Sequence, residues 1–318
     1  MDPDLLPSGL QTETAGLAPC PRAAPEAKRL ARLADHDLEP PCRAPGPLRV
    51  PVARARPQRV LARFGDLHGG DGIRHGFSTR KGGVSTGALE SLNLRGYIHG
   101  DRKENVEENY RRFCAAIGVD VQKVVLSQQE HLDHLRLVTA DDCGKGLWRE
   151  RDYRAVDGLL CSTPGIPLVV FSADCNVILL HDPVRHAIAA VHAGWRGTAL
   201  GIVAKAVREM HEQFDSDPAD IRAAIGPAIG KCCFETDDDV PQALHQALGE
   251  VAEPYMTRSG GKWHIDLKAV NALWLRQEGL TRIDICDLCT MCRGDLFWSH
   301  RRTGDARGVQ AAVICLEE

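Results

Sequence analysis

Between Gly158 and Ala193 the chain passes through four short apolar runs, GLLCS, PLVVFSA, NVILLH and AIAAVHA. Their length and β-branched content predict buried strands rather than helices. Asp182-Pro183 stands between the last two as a turn, so those two are expected to form an antiparallel hairpin. GFST reads as a strand entering a turn at Lys81-Gly82-Gly83. KVVLSQQ and RLVTA are expected strands further on, and RIDICD and AAVICL close the chain. Helical periodicity is as plain elsewhere. In DRKENVEENYRRFCAAIGV, Val106, Tyr110, Phe113, Cys114 and Ile117 fall on one face. TALGIVAKAVREMHEQF reads as one amphipathic helix, and DLKAVNALWLRQEGL as another, ended by Gly279. The pattern predicts a mixed α/β domain without internal repeats.

Residues 1–56 break with this pattern. They carry Pro40, Pro41, Pro45, Pro47 and Pro51, many Ala and Arg, and no Phe, Tyr or Trp. The helix-like patch AKRLARLADHDL is too short to stand alone. The expectation is a disordered extension over 1–56 and one folded catalytic domain over 57–318.

Composition narrows the function. The 318 residues are 43% hydrophobic, enough for a substantial core, and the formal net charge is -4. Mild acidity argues against a nucleic-acid partner recognised by bulk charge. No run approaches the roughly 20 apolar residues that span a bilayer, and no basic-then-apolar leader opens the sequence. A cytoplasmic protein without membrane or nucleic-acid partners is expected, as a monomer or weak dimer. In a reducing compartment the 12 cysteines are expected to be core residues, ligands or catalytic groups rather than disulfides.

The chemistry concentrates at strand ends. Phe171-Ser172-Ala173-Asp174-Cys175 ends one apolar run, and Val191-His192-Ala193-Gly194-Trp195-Arg196-Gly197 ends the last strand of the hairpin and opens a helix. His131 follows another strand, in LSQQEH. One thiolate and two imidazoles suit Zn²⁺ with an open fourth position; the same three groups could equally be packed core side chains. Gly194, Gly197 and Arg196 offer the ingredients of an oxyanion site before a helix, as does Ser78-Thr79-Arg80-Lys81-Gly82-Gly83.

The ordered set GFSTRKGGVS, SLNL, ENVEENYRRF, SQQEH, VDGLLC, ADC, HAGWRGT, AIGPAIGKCCFE, DLCTMC and SHRRTG resembles the YfiH-like family, also called laccase-domain or multicopper polyphenol oxidase proteins, over about residues 73 to 316. The resemblance implies a single four-layer α/β/β/α domain with mixed sheets. It implies Zn²⁺ held by His131, Cys175 and His192, copper being the lesser alternative. It implies phosphorolysis of adenosine, inosine, guanosine and methylthioadenosine, and deamination of adenosine, so that purine nucleosides and phosphate are the partners.

Within that frame Arg80 and Arg196 are expected to hold phosphate, with Arg301 as a further candidate. His300 is a candidate to protonate the departing purine, and Glu235 to hydrogen-bond substrate. Asn176 and Glu130 depart from the residues usual in the family, and His134 competes with His131 as ligand. Cys286, Cys289 and Cys292 form C-x2-C-x2-C without the fourth cysteine of a ferredoxin, and read as structural or substrate-proximal, a metal site being the lesser alternative. Asp101, Asn105 and Asn109 are expected to brace a loop, and His181 and His186 to face solvent. A rival reading uses Cys175 as nucleophile and His192 as base in an amidase acting on a peptidoglycan precursor. A copper polyphenol oxidase ranks lower, because the chain has no HxH pair.

Overall fold

A computed structural model describes residues 61–62, 72–94 and 100–318. The expected extension over 1–56 lies outside the described residues. In chain order the elements are β1 (Leu61–Ala62), β2 (Ile73–Ser78), α1 (Lys103–Ile117), β3 (Val125–Leu126), β4 (Leu135–Leu137), β5 (Gly158–Cys161) and β6 (Leu168–Ser172). Then come β7 (Asn176–Asp182), β8 (Ala187–Ala193), α2 (Trp195–Ala199), α3 (Ile202–Phe214), β9 (Arg222–Ile225), β10 (Glu235–Thr236) and α4 (Asp239–Leu248). The chain closes with β11 (Met256–Ser259), β12 (Lys262–Ile265), α5 (Leu267–Gln277), β13 (Arg282–Ile285), α6 (His300–Thr303) and β14 (Gln310–Leu316).

Two mixed sheets carry the domain. One has the order β1-β2-β14-β6-β3 and the other β13-β9-β7-β8-β5-β4, while β10, β12 and β11 form a small third sheet. Strand alternation explains why the central runs are apolar throughout. Val177 and Leu179 of β7 and Ile188 and Ala190 of β8 enter the core between the sheets, against Leu168 and Val170 of β6 and Ala312 and Ile314 of β14. Their sequence neighbours Ile178, Leu180, Ala189 and Val191 pack outward against Val203, Val207 and Met210 of α3 and Leu275 of α5. On the far side Val169, Phe171 and Val313 meet Val106, Tyr110, Phe113 and Ile117 of α1. Each sheet is thus covered on both faces, which removes the polar side of the strand pattern. The layers are α/β/β/α, as the family resemblance implies. Truncating a fully buried side chain such as Leu179 to Ala would cost about 2–5 kcal/mol.

The hairpin forms as expected, with Asn176 opposite Ala193 through Asp182 opposite Ala187. Three expectations need correction. The helix expected over TALGIVAKAVREMHEQF is two helices, because Gly201 adopts a left-handed φ of 71° and separates α2 from α3. KVVLSQQ keeps strand pairing only at Val125–Leu126, parallel to β6. Beyond it the Gln129 side chain accepts from the Phe171 N–H at 2.7 Å and donates to the Phe171 carbonyl at 2.9 Å, replacing a backbone partner with an amide. His181 is fully buried in β7, not solvent-facing; only His186, in the turn, is exposed. Asp101 and Asn109 do brace a loop. Asp101 accepts from Ser85 and Asn93, and Asn109 accepts from the Val84 N–H while donating to the Asn93 carbonyl.

Candidate active site

β8 ends at His192 and Ala193, and β7 begins immediately after Cys175, so pairing of Asn176 with Ala193 sets the thiol beside the imidazole. The third group arrives from the loop after Gln128, which bridges to Val156. The donor atoms of His131, Cys175 and His192 lie within 4.8 Å of one another. Cys175 Sγ is 3.8 Å from His131 Nε2, and the two imidazoles meet edge to face with centroids 4.9 Å apart. His134 is exposed and outside this group, and Glu130 is exposed beside it.

A residue that sequence reading left unassigned holds the arrangement. Asp157, fully buried at the entrance to β5, accepts from His192 Nδ1 at 2.8 Å. It also accepts the backbone N–H groups of Glu130, His131 and Leu132 at 3.0, 3.0 and 3.2 Å. One carboxylate therefore fixes the ring of one imidazole and the backbone of the other. It also overdetermines the left-handed φ of 63° at His131. A carboxylate can only accept, so His192 carries its proton on Nδ1 and turns Nε2 toward the thiol. Asp174, with φ 96°, is held in the same way, accepting from Thr290 Oγ1 at 2.5 Å, Ser299 Oγ at 3.0 Å and the Arg301 N–H at 2.7 Å. The available signal for both was an acidic residue abutting a wholly apolar strand. Such a group must find several donors or unfold its surroundings.

Electrostatics follow from burial and pairing. Burial would raise the Asp157 carboxyl, but the hydrogen bonds from His192 and the loop outweigh it and hold it below the usual carboxylate range. Burial likewise opposes both partners of the thiol–imidazole pair. The His192 charge with the His131 hydrogen bond brings the Cys175 thiol down to about 6, and the Cys175 charge with the Asp157 hydrogen bond lifts His192 to about 9. In the metal-free protein both shifts favour a thiolate paired with an imidazolium.

Gly194 is required here for space rather than for backbone freedom. A Cβ on it would meet His131 Cδ2 at 2.7 Å and Cys175 Sγ at 3.3 Å. The expected role of Gly194 beside a ligand is thus filled by the two side chains themselves. α2 is a single short turn of helix, Trp195–Ala199.

His131 and Cys175 open onto a cavity of about 280 Å³ whose walls include Trp195, Ile229, Phe234 and Leu267. Asp174, His300, Arg301 and Arg307 are the charged and polar side chains that line it beside that pair. A larger cavity of about 460 Å³, lined by Arg74, Lys123 and Glu318, contains none of these groups. Of the residues expected to bind phosphate or substrate, the structure brings His300 and Arg301 to the cavity. Arg80 is not among its lining residues: its guanidinium donates to the carbonyls of Gly294 and Glu90 and stacks on Trp298 at 3.9 Å. Arg196 is exposed and stacks on Trp195. Glu235 is exposed in β10, its carbonyl accepting from Arg301 at 2.8 Å. Arg307, Phe234 and Trp195 line the cavity without having been singled out. Asn176 is fully buried, with no hydrogen-bond partner for its amide among the described residues.

One thiolate and two imidazoles, one of them oriented by a buried carboxylate, form a donor set that fits Zn²⁺ and, less selectively, copper. No helix among the described residues is long and apolar enough to cross a membrane.

Comparison with known proteins agrees with this fold. The chain is 34% identical over 250 residues to "Purine nucleoside phosphorylase YlmD" of Bacillus subtilis, covering 76% of this chain and 88% of that one. The crystal structure of YfiH from Bacillus licheniformis, a hypothetical protein, superposes with a TM-score of 0.74 at 35% identity, over 77% of this chain and 93% of that one. The crystal structure of YlmD from Geobacillus stearothermophilus does so with a TM-score of 0.73 at 35% identity, over 78% and 93%. The sequence profile of the family described as multi-copper polyphenol oxidoreductase laccase matches residues 74–317. Matching over most of its length, the chain belongs to that laccase-like, YfiH-type family.

Proposed function

We propose that this chain is a zinc-dependent purine nucleoside phosphorylase acting on adenosine, inosine, guanosine and methylthioadenosine, and that it also deaminates adenosine. The observation that carries the reading is the opening of a His131–Cys175 donor pair onto a largely apolar cavity that Trp195 and Phe234 line together with Arg301 and Arg307. The names of the similar proteins support it. Trp195 and Phe234 give a purine ring flat apolar surfaces. Cleavage of the glycosidic bond builds positive charge on the sugar and needs an anionic nucleophile held in line. Arg301 and Arg307 are fork-shaped donors suited to that anion. Arg301 is oriented by its Nη1 bonds to the carbonyls of Cys233 and Glu235. His300, which lines the cavity, gives a proton to the departing base in this reading. In this reading Arg80 and Arg196 act outside the phosphate site, Arg80 by tying its loop to the carbonyl of Gly294. Zn²⁺ on His131, Cys175 and His192 supplies Lewis acidity and an activated water for deamination when bound.

Purified protein is expected to release hypoxanthine from inosine only when phosphate is present. Equal release without phosphate would reject phosphorolysis. One observation favours a second reading. Cys175, His192 and Asp157 form a thiolate–imidazolium–carboxylate series of the kind cysteine amidases use, and in this alternative the substrate is a peptidoglycan precursor. A stoichiometric metal that protects Cys175 from alkylation would eliminate that role.

A further inference from the structure

Four of the cysteines not used above converge on one place. Cys289 and Cys292 do not group with Cys286, which is buried in the core with its thiol pushed up to about 11 by burial. They group instead with Cys232 and Cys233, some 60 residues away. The four sulfurs lie within 4.8 Å of one another. Cys232 Sγ is 3.7 Å and Cys233 Sγ 3.4 Å from Cys292 Sγ. A tetrahedron of thiolates around zinc, with bonds of about 2.3 Å, has sulfurs about 3.8 Å apart, whereas a disulfide needs about 2.05 Å. The spacing fits the tetrahedron and not the bond.

We infer that Cys232, Cys233, Cys289 and Cys292 form a second metal centre, a closed tetrathiolate site for Zn²⁺. Four ligands leave no open position, so the site is structural. The topology explains how it assembles. β9 and β13 are parallel neighbours, and the segments following them run side by side, Ala228 bridging to Cys289 and the Thr290 N–H donating to the Ala228 carbonyl. The Gly230 N–H donates to Cys289 Sγ at 3.2 Å, an outer-shell contact that favours a thiolate. A zinc tetrathiolate carries two net negative charges. Lys231 and Arg293 adjoin the ligands in sequence, and Arg302 is fixed nearby on the Met291 carbonyl.

The centre would brace the wall of the catalytic cavity. Ile229 and Phe234 line that cavity and flank the first ligand pair. The Ile229 N–H donates to the Asp174 carbonyl, and Thr290 donates to the Asp174 carboxylate, next to Cys175. Pocket wall, tetrathiolate and catalytic thiol are thus joined through one residue.

The test uses the full chain purified under reductant, with the first centre removed by Cys175→Ser and His192→Ala. That background is expected to retain one zinc equivalent and, on Co²⁺ exchange, to show the intense visible absorption of a tetrathiolate. Adding Cys232→Ser with Cys292→Ser is expected to abolish both. A background without metal, or with iron or copper in place of zinc, would overturn the inference. So would a Cys233–Cys292 disulfide found by mass mapping after the same reducing purification. Because the background keeps all four cysteines, the cobalt spectrum decides the matter even if the serine variant misfolds.

Discussion

Replacing Asp157 with Asn tests how the centre is held. The substitution keeps the shape but removes the charge and turns one acceptor oxygen into a donor. In the native protein one oxygen serves His192 Nδ1 and the His131 N–H, and the other the N–H groups of Glu130 and Leu132. Whichever way the amide turns, two donors face an NH₂ group in a fully buried setting. Hydrogen bonds to a charged group contribute about 1.5–3 kcal/mol each, and orphaned buried donors add to the cost. A loss of about 3 kcal/mol or more is expected, which lowers the Tm of a domain this size by roughly 6–12 °C. The second consequence is local. Without the carboxylate neither the tautomer of His192 nor the left-handed turn at His131 is enforced, so metal affinity should fall about 10–100-fold. Thermal melts of metal-free protein and zinc competition against a chelator measure the two effects. A variant with unchanged Tm and unchanged affinity would refute the role given to Asp157.

Gly194→Ala should spare the fold while displacing His131, because the new methyl meets that ring at 2.7 Å; at least a tenfold loss of zinc affinity is expected by the same competition assay. In metal-free protein, alkylation of Cys175 should follow a thiolate that forms near pH 6, and His192→Ala should move that midpoint upward. The stability of the metal-free form should be bounded on both sides. Cys175 is depressed, so its contribution exists above the unfolded thiol value and is lost as pH falls through about 6. His192 is raised, so its contribution exists below the unfolded imidazole value and is lost as pH rises through about 9. Urea midpoints that do not decline at either limb would contradict the ion pair.

Much of the fold was legible because local rules dominate in it. Long apolar runs with a Pro-containing turn between them can satisfy their backbone and bury both faces only as a hairpin inside a layered sheet. The face of α1 is written in five side chains of one periodicity, and those five are buried. The approach of Cys175 to His192 was legible for a related reason, since hairpin pairing brings a residue at the end of one strand beside one at the start of the other. By itself, then, the sequence determined the mixed α/β class, the hairpin and the nearness of Cys175 to His192.

What only the tertiary structure decided depends on approaches between segments far apart in the chain. Asp157 has no local partner; its four donors converge only after β5 and β8 pair and the loop at Glu130 closes over them. The grouping of Cys232 and Cys233 with Cys289 and Cys292 needs β9 and β13 side by side, which no spacing within DLCTMC reveals. Arg80 carried the residue type of a phosphate holder, yet it does not line the cavity that His131 and Cys175 open onto, and its guanidinium lies instead against backbone carbonyls and a tryptophan face. Sequence supplies a side chain's chemistry; whether a charge meets a ligand or its own backbone is set by which strands pack, because burial forces every polar group to take whatever partner the packing provides.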